Sequence, residues 1–325
     1  MTTNTPIAEE KYLPLPGGRV LAYAENGNPS SSTLVIFFHG ACGVGTADTL
    51  EKYLLEKDVY FVAPTLAGWG KSSPRSKNIP FHVGLASDTS ALIDHLHPKK
   101  EGLKIYIAGV SFGTVPAQML YGASFDVFPS GRSVAGCMVL APFSPFKLHK
   151  DYSKSMSILR YITSGPPSRY IPFNLLRLVS VFFKNKIKTP EKAEVFMRQT
   201  LFDKMGEEEK AEFAKWREET GKAEGQLERE FAQMATRSVQ ESWAGFLEME
   251  DAMHGDWGFA PNALDEEHNA RPILLVSSEG DTLAPDALAK WLAENYKNAH
   301  YRSFHGGHLA TMFHLNELWK DLFEL

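Results

Sequence analysis

Cysteine is scarce in this chain, and its scarcity narrows the fold before any motif is read. Cys42 and Cys137 are the only two in 325 residues, one at the end of a predicted strand and the other inside one, so a disulfide framework is not expected. No run of roughly twenty uncharged apolar residues is present, which argues against a membrane-spanning helix. Met1 to Glu10 is polar and carries no apolar signal region. The expected location is therefore cytoplasmic, without stable membrane insertion. The 34 Lys and Arg residues against 39 Asp and Glu leave a formal charge of −5, a balance that argues against nucleic-acid binding. Internal repeats, low-complexity tracts and metal-ligand spacings are missing too, so no metal site is expected. What remains is a chain 43% hydrophobic and 12% aromatic, long enough to bury a large core and to carry one sizeable addition.

The first 145 residues read as alternating strands and helices. Lys11 to Leu15 and Val20 to Glu25 pair around a Gly17-Gly18 turn. Leu34 to Phe38 is a fully apolar run that opens into His39-Gly40, as a strand buried on both faces does. A helix is expected over Thr46 to Lys57, a strand over Val59 to Ala63, a helix over Asp88 to Leu96, and strands over Ile105 to Val110 and Cys137 to Ala141. The pattern resumes with a strand at Ile273 to Ser277, a helix at Asp286 to Tyr296, a strand at Tyr301 to Phe304 and a last helix over Leu309 to Phe323. Such alternation predicts a mostly parallel sheet with helices on both faces, and ligands beyond the carboxyl ends of its strands.

Between Phe143 and Asn269 the alternation stops. This stretch is rich in helix formers and in large apolar residues such as Phe173, Phe182, Phe202, Trp216, Phe231 and Phe246. Its charge divides into a mostly basic half, Lys147 to Arg198, and a mostly acidic half, Asp203 to Asp256. Two helical halves whose solvated faces attract one another explain this division more simply than an anionic-substrate funnel does. Asn174 to Lys184 is apolar with basic ends and reads as a helix packed on the core rather than a membrane-surface segment.

Three short motifs carry the chemistry. Gly109-Val110-Ser111-Phe112-Gly113 joins the strand ending at Val110 to a helix over Thr114 to Leu120, with Pro116 tolerated in the first turn. At such a corner the two glycines permit a sharp turn and close helix–strand packing, while the serine is strained and its hydroxyl exposed. The helix N-terminus behind it favours negative charge at the reacting atom. Glu279-Gly280-Asp281 follows one later strand, and His305-Gly306-Gly307-His308 follows the last. A serine hydroxyl is a poor nucleophile at neutral pH and needs a base, which an imidazole held by a carboxylate supplies. The residues themselves leave two candidates for each role: His308 or His305 as base, Asp281 or Glu279 as acid.

The order nucleophile, acid, histidine resembles that of the α/β-hydrolase superfamily, of the type that carries a cap. His39-Gly40, the stretch Pro64-Thr65-Leu66-Ala67-Gly68-Trp69-Gly70-Lys71-Ser72, the Ser111 elbow, Gly280-Asp281 with Pro285, and Gly307-His308 carry the resemblance, which spans nearly the whole chain. It implies an α/β-hydrolase fold: a mostly parallel eight-stranded sheet flanked by helices, built from residues 1–142 and 270–325, with a helical cap inserted over 143–269. It implies Ser111 as nucleophile, His308 as base and Asp281 as the acid orienting it. The backbone N–H groups of Phe112 and Ala41 become the oxyanion donors, with Cys42 as the alternative to Ala41. Cys42 itself reads as a small apolar filler rather than a reactive thiol, and His39 as a residue that orders its loop. Thr65 stands where the family usually has an acid, a departure that touches the loop rather than the chemistry.

The implied activity is hydrolysis of a carboxylic ester or lactone of a small, largely apolar substrate through an acyl-enzyme, without a cofactor. Serine at the elbow, where haloalkane dehalogenases and epoxide hydrolases place aspartate, argues against those two reactions. Proline iminopeptidase-like amide cleavage, carbon–carbon bond hydrolysis, acyl transfer and a hydrolase-like small-molecule receptor use the same residues. The first of these requires cap carboxylates for a substrate ammonium, with candidates over Glu207 to Glu209 and Glu228 to Glu250.

Overall fold

A computed structural model of the chain describes residues 9–99, 101–156, 158, 161, 165, 166 and 183–325. Eight strands form one sheet in the order β1-β2-β4-β3-β5-β6-β7-β8. They are β1 Lys11–Leu15, β2 Arg19–Gly27, β3 Thr33–Phe38, β4 Tyr60–Pro64, β5 Lys104–Val110, β6 Val134–Leu140, β7 Ile273–Ser278 and β8 Ala299–Phe304. Only the β1–β2 and β2–β4 pairs are antiparallel. From β4 to β8 every pairing is parallel.

The burial of each strand follows from its composition. β7 is buried along its whole length and β6 nearly so, as apolar runs in the middle of a two-faced sheet must be. β1, at an edge, alternates exposed and buried residues. Because successive side chains point to opposite faces, the central strands feed two cores. Ile105, Ile107, Cys137, Val139, Ile273 and Leu275 face α2 (Phe81–Leu96), α3 (Thr114–Tyr121) and the later helix Asp286–Asn295. Ala108, Met138, Leu140, Leu274 and Val276 face the short α1 (Lys52–Glu56) and the C-terminal helix Leu315–Glu324.

Three expected helices differ from the observed ones. The helix expected over Thr46 to Lys57 is present only as α1; in the non-helical stretch before it the Asn26 side chain donates to the Ala47 carbonyl at 2.6 Å. The helix expected from Asp88 begins at Phe81, directly after Pro80. The last helix is split: a 3₁₀ turn at Ala310–His314 precedes the α-helix Leu315–Glu324.

The insertion between β6 and β7 is helical. Its elements are α4 (Pro190–Met197), α5 (Glu207–Thr220), α6 (Gln226–Ser238), α7 (Ala244–His254) and the short α8 (Glu266–Asn269); α9 (Asp286–Asn295) and α10 (Leu315–Glu324) then complete the core. The Thr189 side chain and Pro190 define the start of α4, and Gly221 in the left-handed region ends α5. The expected attraction between basic and acidic halves is realised in Arg198–Glu228 at 3.0 Å and Lys147–Asp256 at 2.6 Å. Phe173, Phe182 and most of the expected Asn174 to Lys184 helix lie outside the described residues. Among the described residues no helix is long and apolar enough to cross a membrane.

The loop after β4 fastens this insertion to the core. Gly70 N–H donates to the Ser238 carbonyl at 2.7 Å, and Gly245 N–H donates to the Gly68 carbonyl at 3.0 Å. Thr65, at the position of the missing acid, is fully buried; its hydroxyl accepts from Gly45 N–H at 2.9 Å, and its carbonyl accepts from the Ser72 hydroxyl at 2.6 Å. Arg75, just beyond, pairs with Glu248 of α7 at 2.9 Å, their side chains 13% and 9% exposed. Removing one partner of so shielded a pair strands the other charge. Arg75→Ala is therefore expected to cost about 3 kcal/mol in urea unfolding, and the double variant Arg75→Met/Glu248→Leu to recover most of it. A single-variant loss below about 0.5 kcal/mol, the scale of an exposed pair, would show that the pair does not fasten the insertion.

Candidate active site

Ser111 sits between β5 and α3 with φ at +53°, a left-handed conformation that costs an L-residue of this kind about 1–2 kcal/mol. Its neighbours make that conformation unavoidable. A Cβ on Gly109 would lie 2.2 Å from the Gly113 carbonyl oxygen, and one on Gly113 would lie 2.2 Å from the Phe38 carbonyl oxygen. Strand β5, helix α3 and the end of β3 thus meet at backbone contact distance, and the side chain at the corner is turned outward. Ser111 and His308 both line a cavity of about 2590 Å³ between the sheet and the insertion. No direct hydrogen bond joins them among the described residues; such contacts commonly tighten only when substrate is bound.

The two histidine candidates separate on geometry. His308 Nδ1 lies 2.7 Å from Asp281 Oδ2, with the Asp281 side chain fully shielded from solvent and that of His308 12% exposed. The other Asp281 oxygen accepts from Leu283 N–H at 2.7 Å and Ala284 N–H at 3.0 Å, so both oxygens are committed and the carboxylate cannot rotate. An ionised carboxylate only accepts, so Nδ1 carries the proton and Nε2 is left as the free acceptor. His305 instead pairs with Glu279 at 2.8 Å, with side chains 81% and 58% exposed. Neither of them lines the cavity.

The loop after β3 supplies the opposite wall. Gly40 approaches Ser111 so closely that a Cβ there would lie 3.3 Å from that of Ser111. Ala41 is exposed and lines the cavity, whereas Phe112 is buried directly behind Ser111. Cys42 also lines the cavity, but burial pushes its thiol up to about 12, so it is not a thiolate at neutral pH. Both cysteines are free.

Residues 35–319 match the Alpha/beta hydrolase family. The chain belongs to that family. Its fold is similar to that of a hydrolase from Pseudomonas aeruginosa PA01, at 14% identity and a TM-score of 0.61 over 97% of each chain. An esterase from Exiguobacterium antarcticum superposes with a TM-score of 0.61 at 14% identity, over 97% of this chain and 98% of that one. A thermophilic esterase from Thermogutta terrifontis gives 0.52 at 17% identity, over 98% and 97%. Among curated proteins none matches. At such identities the structural likeness establishes the α/β-hydrolase fold alone.

In this α/β-hydrolase, His39 binds two loops together. Its Nδ1 donates to the Gly40 carbonyl at 2.8 Å while Nε2 accepts from Leu66 N–H at 3.0 Å, and Trp69 packs edge-on against the ring. The sequence points to a loop-ordering role for His39 but not to Leu66, 27 positions away, because no local pattern reports such a contact. Burial lowers the His39 pKa from 6.5 to about 4 against the opposing bond to Gly40. Between those values the unfolded chain binds a proton that the folded chain refuses, so stability falls with pH. The loss from this residue should reach about 3 kcal/mol from pH 7 to pH 4. Urea unfolding of His39→Gln should show a shallower pH dependence by that amount; an identical slope would place the acid sensitivity elsewhere.

Proposed function

We propose that this chain is a serine hydrolase that cleaves a carboxylic ester or lactone through an acyl-enzyme on Ser111. The observation that carries the reading is the strained Ser111 on the same cavity as an imidazole whose Nδ1 proton is fixed by a buried carboxylate. Esterases occur among the solved structures that share the fold, which is consistent with the reading.

Ser111 Oγ attacks the substrate carbonyl carbon while His308 Nε2 takes the hydroxyl proton. Asp281 holds the imidazole tautomer and stabilises the cation that forms. The oxyanion accepts from the Phe112 and Ala41 N–H groups, a contribution on the order of 3 kcal/mol per donor. Collapse breaks the carbon–oxygen bond to the leaving alcohol, which receives the proton from His308. Water then enters and gives a proton to Nε2 as it attacks the acyl carbon; the second collapse breaks the acyl–Oγ bond, His308 returns the proton to Ser111 Oγ, and the acid leaves. For a lactone the leaving alcohol stays tethered to the acyl group.

The substrate lies where the cavity is apolar: Phe183, Phe196, Leu201, Phe231, Phe246 and Met249 come from the insertion, above Ser111 and His308. The cavity volume of about 2590 Å³ exceeds the roughly 300–1,000 Å³ of most small-ligand sites. A small ester fills only the part around Ser111. Charged groups that also line the cavity include Glu51, Lys52, Lys204 and Lys222, a mixture of signs that does not select an anionic substrate.

Turnover of p-nitrophenyl butyrate should fall at least about 1000-fold in both Ser111→Ala and His308→Ala. His305→Ala should stay within about threefold of wild type, because its exposed pair with Glu279 is solvent-screened and away from the cavity. Loss in His305→Ala with retention in His308→Ala would move the base to the outer pair.

A further inference from the structure

Helix α5 carries a run of acidic residues, yet one of its faces is laid along the segment that bears His308. Glu209, Glu212, Phe213 and Trp216 recur at spacings of three and four, which places them on one side of a helix. The Phe213 ring stacks on Phe313 at 5.4 Å between centroids, and Trp216 lies 5.7 Å from the same ring. Glu212 Oε2 is 3.9 Å from His314 Nε2. At the N-terminal end of this face, Glu209 reaches Gly306 and Gly307, the two residues immediately before His308.

Those glycines leave space for its carboxyl. A Cβ on Gly306 would lie 2.9 Å from Glu209 Cδ, and one on Gly307 would lie 3.4 Å from Glu209 Oε1. Glu207 and Glu208 beside it are exposed, but Glu209 is only 6% exposed. Burial raises its carboxyl pKa, as do the nearby Glu212 and Asp281 carboxylates, while the facing Gly307 amide favours the charged form. Oε1 has no hydrogen-bond partner among the described residues. Burying a carboxyl is unfavourable unless it is compensated, and what this one faces is the backbone of the histidine loop.

We propose that Glu209 is a positioning residue: its carboxyl, carried by the insertion, holds the Gly306-Gly307 backbone and thereby fixes His308 opposite Ser111. This rests on the reading of His308 as the base. Glu209 does not line the cavity, so it acts through the loop and not on the substrate. Docking of α5 thus becomes a condition for a working base, and the insertion does more than enclose the substrate.

Three variants separate reach from charge: Glu209→Gln keeps the length and an acceptor oxygen, Glu209→Asp keeps the charge but withdraws it, and Glu209→Ala removes both. Amide hydrogen exchange across residues 305–309 should quicken at least tenfold in the Asp and Ala variants and stay near wild type in Gln. In ester turnover, kcat should fall at least tenfold in Asp and Ala with KM within twofold, while Gln retains kcat within about threefold. If Ala does not fold, the Gln and Asp variants decide. Unchanged loop exchange in Asp and Ala, a change in KM alone, or an Asp variant that outperforms Gln would each overturn the proposal. The exchange readout does not depend on catalysis. A fully active His308→Ala would instead overturn the reading of the base and leave the exchange result standing on its own.

Discussion

The outward turn of Ser111 depends on three backbones being forced together where β5 enters α3. Gly109 and Gly113 lack side chains at points where a Cβ would lie 2.2 Å from a carbonyl oxygen, and Phe38 at the end of β3 registers directly with Gly109. The positive φ of Ser111 is the geometric result of that crossing. Its cost, on the order of 1–2 kcal/mol, is small beside the burial of the central strands that impose it. A sheet order that places β3 beside β5 is therefore the condition for the corner, because it brings the His39-Gly40 loop against the serine.

The other members of the candidate site arrive by the same logic from the far half of the sheet. β7 and β8 are parallel neighbours, and the loops beyond their carboxyl ends bring Asp281 and His308 to 2.7 Å. Parallel pairing places all these loops on one edge, beneath the insertion, where apolar side chains from its helices form the roof of the cavity. The ties between the insertion and the core include the Gly68–Gly70 loop with Arg75, and the packing of α5 on the segment after β8.

Much of this was legible in the residues, for identifiable reasons. β3, β5, β6 and β7 are short apolar runs bounded by turn residues, and a strand buried on both faces has no simpler signature. The Ser111 corner was legible because glycine spacing encodes a close approach. By contrast, the chain between Thr46 and Glu51 looked helical from its composition but is non-helical, and its contact with Asn26, 21 positions from Ala47, has no local signature. Residue type and spacing alone left His308–Asp281 and His305–Glu279 open, since both pairs follow the same strands; the resemblance pointed to the former, and in the folded chain the two differ in burial. Glu209 stood in a run of three glutamates at a helix start, where residue type gives no hint that one of them is enclosed.

The account rests on an activated serine at that corner. Intact-mass measurement after exposure to a fluorophosphonate, with the adduct mapped by peptide sequencing, tests this without knowledge of the substrate. One phosphonyl group per folded chain, located on Ser111 and absent from Ser111→Ala, is the predicted result. Unmodified folded wild type, or an adduct on another residue that survives Ser111→Ala, would contradict it.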